Sequence, residues 1–463
     1  MRPARMHLRG SIFKTVFFLF LWSVFQPHFN ADAITGMETG TGDEEFEELS
    51  DAPVPDATAI LSPDRELTFF TIRGHYKNLF TGFASENFLD KETDHFQKKY
   101  LAADLNRLRL SPEIKTSENF LLHADMDNEI YAANYAGSRT FDAFWFPSDF
   151  NDLFDPVITE RFSGDGVYRF NLHRFYAKAV TGNFTITMGR QLIRFGSGRL
   201  WNPLDILNPI TPTFVEGPED QKGIDAFRME YYPGVATEIA IVYAPKRIND
   251  ELDGDIFANK NTNLISRLRT TIDNTDLAVL GGRVTRRYLG GIDFSTILWD
   301  GMLRGSFLLS FPDRGNAYGL GSVGYEYTFR NGLYFLAEYF YNQNALNRNE
   351  SLLDAYSESL VFGMNEDRFI RLANQFLTFN RHYSGIVLGY DISPLLRGDI
   401  FAIADIEGRG IYLSPSLKYN LFQNLDISIV GMLGSVFSGA SVTSDFDSLE
   451  DHPLFVASLV WYF

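Results

Sequence analysis

The chain contains no cysteine, and beyond residue 33 no apolar run approaches 18 residues. The first absence excludes disulfides, thiolate metal sites and cysteine nucleophiles. The second excludes a membrane-spanning helix in that part of the chain. Basic residues are also scarce, 41 Lys and Arg against 59 Asp and Glu, for a formal net charge of −18. That balance argues against nucleic acid or an anionic surface as the main partner, because both require a basic footprint. Six histidines follow residue 33, His75, His95, His123, His173, His382 and His452, and no two are spaced as metal ligands on a helix. No metal or cofactor is expected. No nucleophile motif accompanies His173, so no enzyme is expected either. The run Gly319 to Gly324 matches G-x-G-x-x-G but leads into a strand pattern rather than a helix, which argues against a dinucleotide site.

What is abundant is aromatic: 43 Phe, 22 Tyr and 5 Trp, with mean hydropathy only −0.13. Strands with one apolar and one polar face combine these two properties. The first residues are of a different kind. Arg2, Arg5, Arg9 and Lys14 precede the apolar run Thr15 to Phe25, and Ala31-Asp32-Ala33 offers a small-residue cleavage site. Residues 1–33 therefore read as a secretory signal peptide, too short in its apolar part to span a bilayer. Removing them takes away four basic residues and one acidic one, which moves the net charge from −18 to −21. Residues 34–64 are acidic, punctuated by Gly and Pro, and lack periodicity, so they read as a disordered periplasmic lead-in. Residues 65–463 show no further linker or composition shift and read as one domain.

The last eleven residues, Pro453 to Phe463, place Phe455, Ala457, Leu459, Trp461 and Phe463 on one face of a strand. About ten residues is what a tilted strand needs to cross a bilayer, with its apolar face to lipid and its aromatic end at the interface. Eighteen such alternating segments, bounded by turn residues, can be traced between residues 66 and 463. Their connections alternate in length. Counting back from the C-terminus, the long connections 437–452, 344–380, 246–262, 194–223, 132–167 and 81–99 fall on one side, and tight links such as Thr181-Gly182 and Asn274-Thr275 fall on the other. That parity belongs to transmembrane barrels, with short periplasmic turns and long external loops. The expected fold is all-β, a transmembrane antiparallel β-barrel of about 18 strands (16 to 18). Pro415 interrupts the clearest segment, Ile411 to Asn420, which implies a bulge or a misplaced boundary.

A barrel of that size leaves an aqueous channel. With the apolar residues set toward lipid, the lumen candidates are Arg107, Arg109, Arg228, Glu230, Arg267, Arg269 and Arg304, then Glu326, Glu338, Asp391, Arg397, Asp399, Lys418 and Asp426. Basic side chains favour one arc and acidic ones another, an arrangement that would set a transverse field across the pore. Pairing of these charges as lumen filler is the competing reading.

The most distinctive local motif runs from Gly189 to Pro209, GRQLIRFGSGRLWNPLDILNP. Two Asn-Pro steps predict tight turns, and Gly196 and Gly198 allow the backbone to leave the wall sharply. Trp201, Leu204, Ile206 and Leu207 are poorly suited to water, which predicts a third external loop folded inside the barrel. Arg190, Arg194 and Arg199 would then face Asp205, Glu216, Glu219 and Asp220 at a constriction. Strict alternation through Phe184, Ile186 and Met188 puts Arg190 on the lipid side, so a bulge near Gly189 or a rim position is expected. The 344–380 connection carries helical spacing, from Leu352 to Phe376.

Residues 168–230, with a Gly-Arg-Gln strand end followed by Asn-Pro-x-Asp-x-x-Asn-Pro, resemble Gram-negative porin-like outer-membrane barrels, including uncharacterised porins and alginate-export-like proteins. The C-terminal strand resembles the terminal-Phe signature read by the barrel-assembly machinery, here Trp461 and Phe463. The resemblance implies an inward third loop, a location in the Gram-negative outer membrane, and contact with its lipid and lipopolysaccharide. The expected function is a passive channel for small polar or anionic solutes. The alternative is a barrel for polysaccharide export or cell-surface assembly. A homo-oligomer is left open.

Overall fold

The computed structural model describes residues 69–463 apart from 89–96, most of 138–155, 208–222, 246–262, 346–377 and shorter gaps in the other connections. The expected signal peptide and lead-in lie outside the described residues, as do Glu216, Glu219, Asp220, the second Asn-Pro step and nearly all of the 344–380 connection.

Among the described residues nineteen strands form a single antiparallel sheet. They are β1 (Phe69–Phe88), β2 (Gln97–Ser117), β3 (Phe120–Ala133), β4 (Val157–Ser163), β5 (Gly166–Thr181), β6 (Phe184–Gln191), β7 (Ile224–Gly234), β8 (Thr237–Tyr243), β9 (Asn263–Ile272) and β10 (Thr275–Val284). The second half comprises β11 (Arg287–Leu298), β12 (Gly301–Pro312), β13 (Tyr318–Thr328), β14 (Tyr334–Asn342), β15 (His382–Ser393), β16 (Leu396–Asp405), β17 (Gly410–Phe422), β18 (Leu425–Val436) and β19 (Leu454–Tyr462). Pairing of β1 with β19, from His75 opposite Tyr462 to Phe83 opposite Leu454, closes the sheet on itself. Backbone bonds of 3.0 Å in both directions between Gly74 and Phe463 extend that seam to the last residue. A closed ring leaves no unpaired edge, the condition for a sheet to stand in hydrocarbon.

Eighteen strands make the ring, and each corresponds to one of the alternating segments read from the sequence. The nineteenth, β4, was not expected. It pairs with β5 at residues 166–171, on the edge that β6 joins only from Phe175 onward. It therefore continues the wall at the level where β6 has already ended. Alternation accounts for the two faces. On β9, Leu264 and Leu268 point outward and are exposed, while Ile265 and Arg267 between them are buried. The tight turns joining β5–β6, β7–β8, β9–β10, β11–β12, β15–β16 and β17–β18 all lie on the side of the C-terminus. At the β11–β12 turn, Trp299 and Asp300 both adopt positive φ, 49° and 61°, as a two-residue type I′ hairpin requires.

Pro415 neither creates a bulge nor ends its strand. The β16–β17 register runs through Ile400 opposite Pro415, and the β17–β18 register is the same on either side, Leu413 opposite Leu433 and Ser416 opposite Val430. Proline removes ladder bonds on one edge without moving its neighbours.

Candidate functional site

The segment after β6 leaves the wall at residue 192, and its described part, to Leu207, is buried or half-buried except at Gly196, with Ile193, Phe195, Trp201, Leu204 and Leu207 fully inside. Gly196 has φ of 87°, and a Cβ there would stand 2.1 Å from Asn202 Oδ1, so only glycine fits. The Asn202 amide closes the turn: Nδ2 donates to the Phe195 carbonyl at 2.6 Å, and Oδ1 accepts from the Leu204 amide at 3.2 Å. This is the expected turn at the first Asn-Pro step.

The segment is held by strands far from β6. The Ser197 amide and hydroxyl both donate to Asp293 on β11 at 2.9 Å. Glu338 on β14 accepts the backbone amides of Arg199, Leu200 and Trp201 at 3.1, 3.3 and 2.7 Å. Because β14 is eight strands from β6 in a ring of eighteen, these bonds join nearly opposite walls. Apolar packing accompanies them. The Trp201 ring stacks on Phe340 with centroids 5.4 Å apart and planes 9° apart. Gly385 on β15 and Gly291 on β11 leave room for the loop. A Cβ on Gly385 would approach Leu200 Cδ1 to 2.4 Å, and one on Gly291 would approach Leu204 Cδ2 to 2.4 Å. Gly385→Val should therefore displace the Trp201 end of the segment and raise its accessibility to protease. A folded variant with unchanged cleavage would show that this contact does not hold the segment.

Arg194 and Asp205 lie 3.5 Å apart. Arg199 is not beside Asp205; its guanidinium reaches Glu326 on β13 at 3.1 Å, and Arg304 from β12 meets the same carboxylate at 2.6 Å. The sequence allows Arg190 either a bulge near Gly189 or a rim position. No bulge interrupts β6, whose pairing runs unbroken through Gly189 and Arg190 on both sides. Instead Gly189 takes φ of 122°, and buried Arg190 donates to Asp225 on β7 at 2.9 and 3.1 Å and to the Leu172 carbonyl. It ties β5 to β7 where β6 ends.

The separation of basic and acidic arcs is corrected. Arg107 pairs with Glu129 at 2.7 Å and Arg109 with Asp127 at 2.6 Å, both across β2–β3. Arg228 pairs with Glu230, Arg267 with Glu238 at 2.5 Å, and Arg269 with Asp276 at 3.1 Å. Arg397 meets Asp391 and Asp399, and Lys418 meets Asp426. Register sets Arg107, Arg109 and Arg397 directly opposite Glu129, Asp127 and Asp391; Arg267, Arg269 and Lys418 reach diagonal neighbours on the adjacent strand, and Glu230 and Asp399 lie two residues along the same strand from their partners.

Two further inward contacts were not expected from the sequence. Phe446, in the connection before β19, stacks on Tyr412 with centroids 5.8 Å apart, and the Tyr383 hydroxyl donates to neighbouring Asp445. Tyr383 also lies against Trp201, so two external connections meet on one side chain. In the β3–β4 connection, Phe141 and Trp145 pack edge-on against Tyr131.

The sequence matches no protein-family model and no curated protein. Similarity appears in three dimensions. A BenF-like porin from Pseudomonas fluorescens Pf-5 is 10% identical, with a TM-score of 0.50 over 85% of this chain and 99% of its own. OccK11 (OpdR) of Pseudomonas aeruginosa is also 10% identical, with a TM-score of 0.50 over 85% of this chain and 96% of its own. The chain thus has a porin-like fold, a closed antiparallel barrel of eighteen strands.

Proposed function

We propose that the protein is an outer-membrane channel for passive diffusion of small polar or anionic solutes, narrowed by the segment from Leu192 onward. The carrying observation is the set of three backbone amides at 199–201 received by Glu338 on the far wall. A chain held there occupies lumen that an eighteen-strand ring would otherwise leave to water. The pore-lining charges are those of the inner wall, Arg107, Arg109, Arg228, Arg267, Arg269 and Arg304 with their carboxylates, joined at the constriction by Arg194, Arg199 and Asp205. The outer wall, rich in exposed Phe, Ile and Leu, supports contact with membrane lipid and lipopolysaccharide.

Because every one of these cations has a partner, selectivity follows from local excess rather than from opposed arcs. Replacing Arg267 and Arg269 together by Ala leaves Glu238 and Asp276 without their guanidinium partners. The reversal potential in a salt gradient should then shift toward cation selectivity. An unaltered value would remove this pair from the conducting wall. Block of conductance by small organic anions supports the solute class proposed, whereas block by acidic oligosaccharide alone would favour an export role.

A further inference from the structure

On β1–β3 the outward face carries a polar cluster. Residues Phe80, Leu108 and Ile130 fix the outward parity, being 41%, 37% and 47% exposed, while Leu79, Leu105 and Tyr131 beside them are buried. Sharing that outward parity are Tyr76, Asn78, Asp104, Asn106 and Asn128. Asn78 Nδ2 donates to Asp104 at 2.6 Å and to Asn106 Oδ1 at 3.2 Å, Asn106 Nδ2 donates to Asp104 at 3.0 Å, and the Tyr76 hydroxyl donates to Asn106. One strand further on, the Tyr168 hydroxyl donates to Asn128 Oδ1 at 3.1 Å.

Register sets the depth. Tyr76 stands opposite Trp461, Asn78 opposite Leu459, and Phe80 opposite both Ala457 and Asp104. Asp104 is thus level with Ala457, four residues or roughly 13 Å along the strand from the Trp461 interface, well inside the hydrocarbon. On β16–β18 the outward positions at this depth are of another kind, for example Ile400, Leu417 and Ile429. Acyl chains offer neither donor nor acceptor to a carboxylate and three carboxamides, so lipid is a poor cover for this face.

We infer that the β1–β3 face is the contact between two copies of this chain, related by a two-fold axis. Within one copy Asn78 Oδ1, an acceptor, and Asn128 Nδ2, a donor, have no partner among the described residues. A two-fold contact presents the same patch from both sides and satisfies donor with acceptor twice. Phe80, Leu108 and Ile130 supply the surrounding apolar surface. The inference rests on the outer-membrane reading above.

The chain lacks cysteine, so single replacements report directly. Two differently tagged chains, Asn78→Cys and Asn128→Cys, are co-produced and oxidised in isolated outer membranes. The expected result is a cross-linked heterodimer, with none from an Ile400→Cys pair on another part of the wall. Asp104→Leu with Asn106→Leu should convert the native mass in mild detergent from two copies to one, with the heat-modifiable migration of a folded barrel retained. Absence of the Asn78–Asn128 cross-link in chains located in the outer membrane, or cross-linking to a different protein, overturns the two-fold contact while the channel reading stands. Chains missing from the outer membrane overturn both.

Discussion

Deletion of residues 197–215 should raise single-channel conductance severalfold while the barrel remains closed. The ring does not depend on this segment: β6 pairs with β5 and β7 through Gln191 at the latest, and β4 fills the wall beyond it. What the deletion removes is Ser197 on Asp293, the three amides on Glu338, and the Trp201 ring on Phe340. Steps of unchanged size from a heat-modifiable, folded variant would mean that the narrowest point lies elsewhere, for instance at the Phe446 connection.

Glu338→Gln tests the same clasp with one atom changed. The carboxylate gathers three amide hydrogens, whereas a carboxamide offers one oxygen and turns its own donors toward the others. Each buried amide left without an acceptor costs about 1–3 kcal/mol, and about 1.4 kcal/mol is a tenfold change in population. The variant should therefore flicker between the wild-type level and a larger one. Glu326→Gln is the comparison, since that carboxylate binds the Arg199 side chain rather than the backbone. It should alter selectivity more than step size. Quiet wild-type steps from Glu338→Gln would show that packing around Trp201 holds the segment without the clasp.

The ring was legible because alternation repeats on every strand, and the connections carry a parity of their own. β4 was not, because Ile158 and Phe162 flank charged Glu160 and Arg161 in a stretch that reads as loop until β5 supplies its partner edge. For the site, parity identifies the face a residue occupies but not its neighbour. It puts Arg107 and Arg109 on the inner face, yet only the β2–β3 register sets them opposite Glu129 and Asp127. Glu338 shows the same limit at longer range, since its partners lie more than a hundred residues earlier in the chain. Gly291 and Gly385 were a usable signal: small residues at inward positions of long strands mark where something else fills the lumen. At Gly189 an unbroken ladder with one positive-φ glycine stands in place of a bulge, and Arg190 lies where β6 ends.

The most direct test of the channel is conductance of the refolded, full-length protein in a planar bilayer, measured across a salt gradient. Stable ohmic steps with a defined reversal potential are expected. A correctly folded barrel that passes no current would contradict the account, because the inner wall would then line a closed interior rather than a path.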